Sequence, residues 1–356
     1  MKENVKILFA AAVCAILCLT ACEKTPSADG GSPGLSGIVV LNEGSWGGNN
    51  SSVLAYDEES GSLVDMFLQN NGKNLGDTAQ DIMVLGDDIY IAVNVSQIIF
   101  VTDLDFRIKK EIIAEENGHR LSPRYFATDG RNVYVTYYEG YLGKIEPSEG
   151  YAVCTTAVGP NPEGVAYAEG KLYVANSGGY NYPDYNNTVS VVDADVFAET
   201  SVIEVNANPC LVVANAGCTY VYVSSLGNYA DLPPMLQSIS LADNSVADMD
   251  CDGVSSMAYG KNDKLYVLCA GYDASYNPLP GTIYRYNAAT GIKEDVFVEN
   301  VENAYKVSAD AGEGYVFVTS SDYKNTGDMS IYSEYGEKLV QFDTRGLNPS
   351  KGLVIR

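Results

Sequence analysis

Residues 170–179 read GKLYVANSGG, a short apolar stretch with a two-residue alternation, bounded by glycines and an asparagine. That period belongs to a strand and not to a helix. The same pattern returns as Gly37-IVVLNEG, Asp87-DIYIAVN, Arg131-NVYVTYY, Thr219-YVYVSSLG, Asp263-KLYVLCAG and Glu313-GYVFVTSS. With Val39, Tyr90, Tyr134, Tyr173, Tyr222, Tyr266 and Phe317 taken as equivalent, successive copies lie 39 to 51 residues apart. A unit recurring at that spacing marks a solenoid, a propeller or an array.

Further strands accompany each copy in fixed order. Before it comes a short apolar strand entered through a turn, often with proline: Asp77-TAQDIMVL, Ser122-PRYFAT, Asn161-PEGVAYA, Asn208-PCLVVA, Val254-SSMAYG, Asn303-AYKVSA and Asn348-PSKGLVIR. After it comes a strand ending in a polar turn, as in Val53-LAYD or Ile99-FVTD, and then a fourth, as in Ser62-LVDMFL or Arg107-IKKEII. No helical periodicity persists after Gly37. Four antiparallel strands in each of seven units predict an all-β, seven-bladed β-propeller over residues 37–356. The chain opens on the second strand of a unit and ends on an orphan first strand, Gly352-LVIR. The C-terminal strand is therefore expected to complete the N-terminal blade and close the ring without an open seam. Two stacked β-sandwiches would explain neither the repeat nor the orphan strand.

Ahead of the ring, residues 1–22 carry Lys2 and Lys6, an apolar run from Ile7 to Leu19, and Leu19-Thr20-Ala21-Cys22. The run is short for a bilayer span and has the form of an export signal. It resembles the bacterial lipoprotein signal, which implies cleavage after residue 21 and lipidation of Cys22. Residues 23–36, EKTPSADGGSPGLS, read as a flexible tether. The expected order is signal peptide 1–21, lipidated cysteine and tether 22–36, propeller 37–356, with the membrane touched only through the lipid.

Lys+Arg total 22 against Asp+Glu 46, a net charge of −24. Such a chain does not neutralise a phosphate backbone or dock on anionic lipid, so nucleic acid is not an expected partner. His119 is the sole histidine, which argues against His-based metal sites and leaves any Ser-His-Asp arrangement dependent on one residue. Tyrosine is abundant, at 27 residues, and Trp46 is the single tryptophan.

In a propeller the loops after the second strand and the connections into the inner strand share one face. Several of the former are long: Asn42-EGSWGGNNSS, Asn176-SGGYNYPDYNNT, Leu226-GNYADLPPML, Gly271-YDASYNPLPGT and Ser321-DYKNTGDM. The turns opposite are tight. Long loops on one face are where binding concentrates. These hold Trp46, Tyr180, Tyr182, Tyr185, Tyr229, Tyr272, Tyr276 and Tyr323, and a shorter loop adds Tyr137, Tyr138 and Tyr141. Asparagines such as Asn49 and Asn94 are interleaved. The connections bring Gln80, Asp81, Arg124, Glu163, Asn303, Lys306 and Lys351 to the channel mouth, unless Arg124 simply pairs with an acid. The expected ligand-binding set is Trp46, Asn49, Gln80, Asp81, Asn94, Arg124, Tyr138, Glu163, Tyr180, Tyr182, Tyr229, Tyr276 and Tyr323. Aromatic plates beside amides suit a neutral, amide- or hydroxyl-rich ligand. Some of these tyrosines are expected only to pack loops.

Other signals are weak. Asp248-Met-Asp250-Cys-Asp252-Gly253 opens like a calcium loop, but Tyr259 stands where the bidentate acid belongs, and no metal site is expected. After Cys22 an odd number of cysteines remains, Cys154, Cys210, Cys218, Cys251 and Cys269, with no CxxC spacing and no assignable pairing. No Gly-rich phosphate loop or catalytic trio stands out, so neither an enzyme nor a catalytic cofactor is expected.

The segments VLNEGSWGGNNSSVLAYD from Val40, LGDTAQDI from Leu75 and DDIYIAVNVSQIIFVTD from Asp87 resemble the YncE-like propeller lipoproteins of gut Gram-negative bacteria, most closely the cobalamin-binding group called BtuG. The resemblance covers the signal and all seven blades. It implies a receptor lipid-anchored at the cell surface of the outer membrane, which binds vitamin B12 and hands it to a TonB-dependent transporter. The same aromatic platforms also suit a glycan-binding surface lipoprotein of a nutrient-uptake system, and that alternative stays open at this point.

Overall fold

A computed structural model describes residues 35–251, 253–273 and 278–356. Residues 1–34, with the expected signal and Cys22, lie outside the described residues, as do Asp252 and residues 274–277. From Leu35 onward the strands form seven four-stranded antiparallel sheets, the all-β seven-bladed propeller that the repeat predicts. Blade I combines Ile38–Asn42, Ser52–Asp57 and Ser62–Asp65 with the C-terminal strand Pro349–Val354. Blades II to VII follow in chain order, with inner strands Ala79–Leu85, Pro123–Thr128, Pro162–Ala168, Pro209–Ala214, Val254–Gly260 and Ala304–Ala309. The C-terminal strand lies antiparallel to Ile38–Asn42, with Val39 opposite Leu353 and Val40 opposite Gly352. It also meets the inner strands of blades VII and II, which closes the ring.

The repeat has its physical cause in the second strand of each blade. Tyr90, Tyr134, Tyr173, Tyr222, Tyr266 and Phe317, and Val39 in blade I, are fully or almost fully buried. Most of them pack into the neighbouring blade. Tyr90 meets the Phe126 ring edge-on at 6.3 Å, Tyr134 stacks on Tyr167 at 6.5 Å, and the Tyr222 hydroxyl donates to the Ala288 carbonyl at 2.7 Å. Phe317 of blade VII shares a core cluster with Ile38, Val40 and Leu54 of blade I. Burying one such ring stabilises the fold by roughly 3 kcal/mol, and the ring is broad enough to serve two sheets at once.

Two segments depart from the expected pattern. The fourth strand of blade I, expected through Leu68, stops at Asp65, and Met66–Asn71 is a short helix. Asp65 caps it by accepting from the Leu68 N–H at 2.9 Å, and Gly72 ends it in the left-handed region at φ 65°. Phe67 is buried beneath, and Asn71 ties the helix to blade II through the Phe106 carbonyl at 2.7 Å and the Ile108 N–H at 3.0 Å. Between blades II and III, Glu115–Glu116 and His119–Arg120 add a small hairpin that leaves His119 exposed.

Removing residues 349–356 leaves Ile38–Asn42 with a bare edge. About six ladder hydrogen bonds at about 1 kcal/mol each are at stake. The shortened chain is expected to lose roughly 5 kcal/mol in urea unfolding; a midpoint equal to that of the full chain would show that the closure carries no stability.

Candidate functional site

One backbone arrangement recurs in every blade and builds the face. The first residue past the second strand donates its N–H to the carbonyl of the residue just before the inner strand: Glu43 to Asn348 (3.0 Å), Asn94 to Thr78 (2.8 Å), Tyr138 to Ser122 (3.0 Å), Ser177 to Asn161 (3.1 Å), Leu226 to Asn208 (2.9 Å), Ala270 to Gly253 (3.1 Å) and Ser321 to Asn303 (2.9 Å). Six of these acceptors, all but Ser122, are left-handed, with φ between 47° and 76°. Asparagine and glycine tolerate that conformation. Proline follows at 162, 209 and 349 as the first strand residue, where its missing N–H is harmless.

Immediately after, the register of all seven inner strands shifts. The bulge falls at the second strand residue in five blades, Gln80, Cys210, Ser255, Tyr305 and Ser350, and within residues 124–125 and 163–164, which hold Arg124 and Glu163, in the other two. A bulge of this kind re-aims side chains. Together with Glu43, these positions ring the mouth of the channel.

The polar half of that ring is a connected network. The Gln80 amide donates to the Tyr125 hydroxyl at 3.0 Å and accepts from Arg124 at 2.6 Å. Arg124 donates to Glu163 Oε2 through Nε at 2.8 Å and Nη2 at 2.5 Å. Its guanidinium also lies 5.1 Å from the centre of the Tyr138 ring. Asp81 accepts from Lys351 at 2.7 Å and from the Phe126 N–H at 2.9 Å. Across the mouth, Tyr305 donates to Glu43 Oε2 at 2.7 Å, and the Lys306 ammonium lies 5.3 Å from the centre of the Tyr305 ring. Blades V and VI contribute Leu211, Val212, Val213, Met257 and Ala258 to the cavity lining, together with Ser256. The inner strands and the mouth residues line an open cavity of about 230 Å³.

Burial governs the titration of this cluster. It raises the Glu43 carboxyl above its ordinary value, against the opposing pull of Lys306 and the Tyr305 hydroxyl. It raises Glu163 as well, with Arg124 opposing. Burial pushes the Cys210 thiol far up, so this sulfur stays protonated and is no nucleophile at neutral pH.

Above the mouth stands a crescent of aromatic rings. Trp46 is 84% exposed, Tyr180 80%, Tyr182 70% and Tyr229 68%, and Tyr272 and Tyr323 are also exposed. Among the described residues, every other exposed Trp or Tyr is Tyr335, in a turn on the opposite face. The rings brace one another: Tyr138 meets Tyr180 at 4.9 Å, Tyr185 bridges Tyr182 (6.0 Å) and Tyr229 (5.9 Å), and Tyr323 meets Tyr305 at 5.6 Å. Blade II, whose loop is short, leaves the crescent open on one side.

The expected residues thus fall into groups. Gln80, Asp81, Arg124 and Glu163 meet at the mouth, and Arg124 pairs with an acid as the more ordinary reading foresaw. Trp46, Tyr138, Tyr180, Tyr182, Tyr229 and Tyr323 form the crescent. Asn49 is exposed in the Trp46 loop with φ 50°. Asn94 donates its amide to the Pro123 carbonyl at 3.1 Å and so joins two blades. Tyr276 lies outside the described residues. Tyr137 and Tyr141, expected in a loop, belong to strands Val133–Tyr137 and Tyr141–Glu146, and Tyr137 is buried. Glu43, Tyr125, Cys210 and Tyr305 were not foreseen; aligning the seven inner strands from their entry residue finds Cys210 and Tyr305. Asp248 sits in strand Val246–Asp248 and accepts from Gln237 at 2.8 Å. No group of metal ligands is present among the described residues.

A family model described as a domain of unknown function (DUF5074) matches residues 36–315, and the chain belongs to that family. No curated protein matches the sequence. The fold is similar to a chain of the hydrazine synthase of Kuenenia stuttgartiensis, at 15% identity and TM-score 0.58 over 70% of this chain and 74% of that one. It is also similar to U3-55K, at 10% identity and TM-score 0.53 over 74% and 80%. The computationally designed Ika8 protein matches at 10% identity and TM-score 0.57 over 88% and 90%. At these identities the likeness is one of fold.

Two measurements probe the mouth. Arg124→Met leaves Glu163 buried without its cation, and a loss of about 3–5 kcal/mol in urea unfolding is expected, with Arg124→Met/Glu163→Gln recovering most of it; equal losses in both variants would show that the pair is not coupled. In the folded protein burial raises the Glu43 pKa above the ordinary glutamate value of 4.5. Its protonated form is favoured by folding, so its contribution is full below that value and is lost as pH rises through the folded pKa. Glu43→Gln is expected to match the wild type at low pH and to gain on it as pH rises; a constant Tm difference across the range would contradict the assignment.

Proposed function

We propose that this member of the DUF5074 family is a non-enzymatic receptor for cobalamin, which captures the corrinoid on the crescent face and passes it to a TonB-dependent outer-membrane transporter. The observation that carries the reading is the aromatic crescent standing over a mouth with a connected polar network and a cavity whose lining mixes polar and apolar side chains. A corrin is a wide macrocycle with an apolar body and an amide rim. Tyr180, Tyr182, Tyr229 and Trp46 offer ring faces to the body, and such stacking adds about 0.5–1.5 kcal/mol per contact beyond area burial. Asn49 and neighbouring backbone groups offer donors and acceptors to the rim. The mouth beneath pairs most of its charges internally, which favours a ligand of low net charge over a polyanion.

The chemistry for catalysis is thin on this face. Cys210 is held as a thiol by burial, His119 lies on the hairpin between blades II and III, and the two raised carboxylates, Glu43 and Glu163, are each engaged by a neighbour. A lipid anchor at Cys22 and the cell-surface location belong to the same proposal, supported by the lipoprotein-like signal and by the resemblance of residues 40–57 and 75–82 to the cobalamin-binding group.

Calorimetric titration with cyanocobalamin tests this reading. Saturable binding is expected, weakened about 10- to 30-fold by Trp46→Ala or Tyr182→Ala and unchanged by Tyr335→Ala on the opposite face. An absence of heat at micromolar ligand, with retention on a polysaccharide affinity gel lost in Trp46→Ala, would replace it by glycan capture on the same platforms.

A further inference from the structure

Blade VI holds a pair of sulfurs that the crescent and the mouth leave unused. Cys251 lies in the connection entering the inner strand, and Cys269 ends the second strand, Lys264–Cys269. They are 18 positions apart in the chain, and the ladder brings them together. Val254 is paired directly with Cys269, and the Ala270 N–H donates to the Gly253 carbonyl at 3.1 Å. The two Sγ atoms are 2.8 Å apart, inside the ordinary contact distance of two sulfur atoms. Cys251 is 8% exposed. The Tyr286 hydroxyl from the third strand reaches Cys251 and donates to the Asp250 carbonyl at 2.6 Å, which holds the connection in place.

We propose that Cys251 and Cys269 form an intrachain disulfide when the protein meets a disulfide-bearing oxidant, a small molecule or a thiol–disulfide catalyst. One thiolate attacks the oxidant's sulfur and gives a mixed disulfide, and the second displaces the remaining half. One S–S bond forms in the protein and one breaks in the oxidant. The two thiol protons end on the two released thiols, so the protein pair is oxidised by two electrons and the oxidant is reduced by two. The strand register already places both sulfurs, so closure requires only a short approach toward the bonded distance of about 2.05 Å. The other cysteines stay out of reach of this pair's chemistry: Cys154 lies in blade III, and the Cys210 and Cys218 sulfurs contact the carbonyls of Asn208 and Ala216 in blade V. One bridge therefore leaves Cys154, Cys210 and Cys218 outside it. It ties Cys251, ahead of the inner strand, to the end of the second strand, three residues before Tyr272 of the crescent.

The test uses the full chain, incubated with excess oxidised glutathione, quenched with a thiol-alkylating reagent under denaturing conditions, digested, and mapped by mass spectrometry. The expected result is a cross-linked peptide pair joining Cys251 to Cys269, lighter than the two reduced peptides by two hydrogen atoms, with Cys154, Cys210 and Cys218 not joined to either. Reduction should lower the Tm of the wild type by about 5–10 °C and leave that of Cys251→Ser/Cys269→Ser unmoved. Alkylation of both cysteines after oxidation, a persistent glutathione adduct on either, or a bridge to another cysteine would each overturn the proposal.

Discussion

The hydrogen bond from the first residue past each second strand to the residue before the inner strand is what the face rests on. It recurs in all seven blades between 2.8 and 3.1 Å. By fixing where each long loop departs and where each inner strand enters, it sets the loops above the channel and places the bulge that follows. The bulge then supplies the mouth with seven equivalent positions whose side chains differ. Glutamine, arginine, glutamate, cysteine, serine and tyrosine occupy the same backbone site, so the chemistry of the mouth is varied without a change of scaffold.

Much of this order was legible because it is local. Asn-Pro at 161–162, 208–209 and 348–349 announces a left-handed residue followed by a strand that needs no first N–H, and the alternating second strands announce the blades. What was not legible depends on distance. Glu43 meets Tyr305 across 262 residues of chain, and nothing near either residue signals the other until the ring closes. The helix at Met66–Asn71 escaped for a different reason: Met66, Phe67 and Leu68 extend the strand pattern, and only the cap at Asp65 and the left-handed Gly72 turn the backbone away from it. Within the expected site, residue type alone separated neither buried Tyr137 from exposed Tyr180 nor bridging Asn94 from solvent-facing Asn49.

The net charge of −24 also acquires a structure. At the mouth the acids are matched: Arg124 faces Glu163, Lys351 faces Asp81, and Lys306 stands near Glu43. The excess negative charge therefore lies mainly elsewhere, where water and salt screen it over a Debye length of about 8 Å. A ligand entering the mouth meets short-range donors and acceptors more than the field of the whole acidic chain. Strong overall acidity is therefore compatible with the proposed recognition of a neutral molecule.

Tyrosine serves both halves of the design, by two different properties of one side chain. In the second strands it is a wide apolar plate, and in two of them the hydroxyl also finds a partner at the far edge, Tyr222 at Ala288 and Tyr134 at Asp129. In the crescent it is a rigid plate with few rotamers to lose, so a ligand that stacks on it immobilises little. The bracing contacts reduce that cost further: Tyr185 between Tyr182 and Tyr229, and Tyr138 against Tyr180, are in place before any ligand arrives. Binding energy is then not spent on ordering the face. Because the core rings belong to strands and the crescent rings to loops, the proposed binding face can vary in sequence while the inter-blade packing keeps the ring closed.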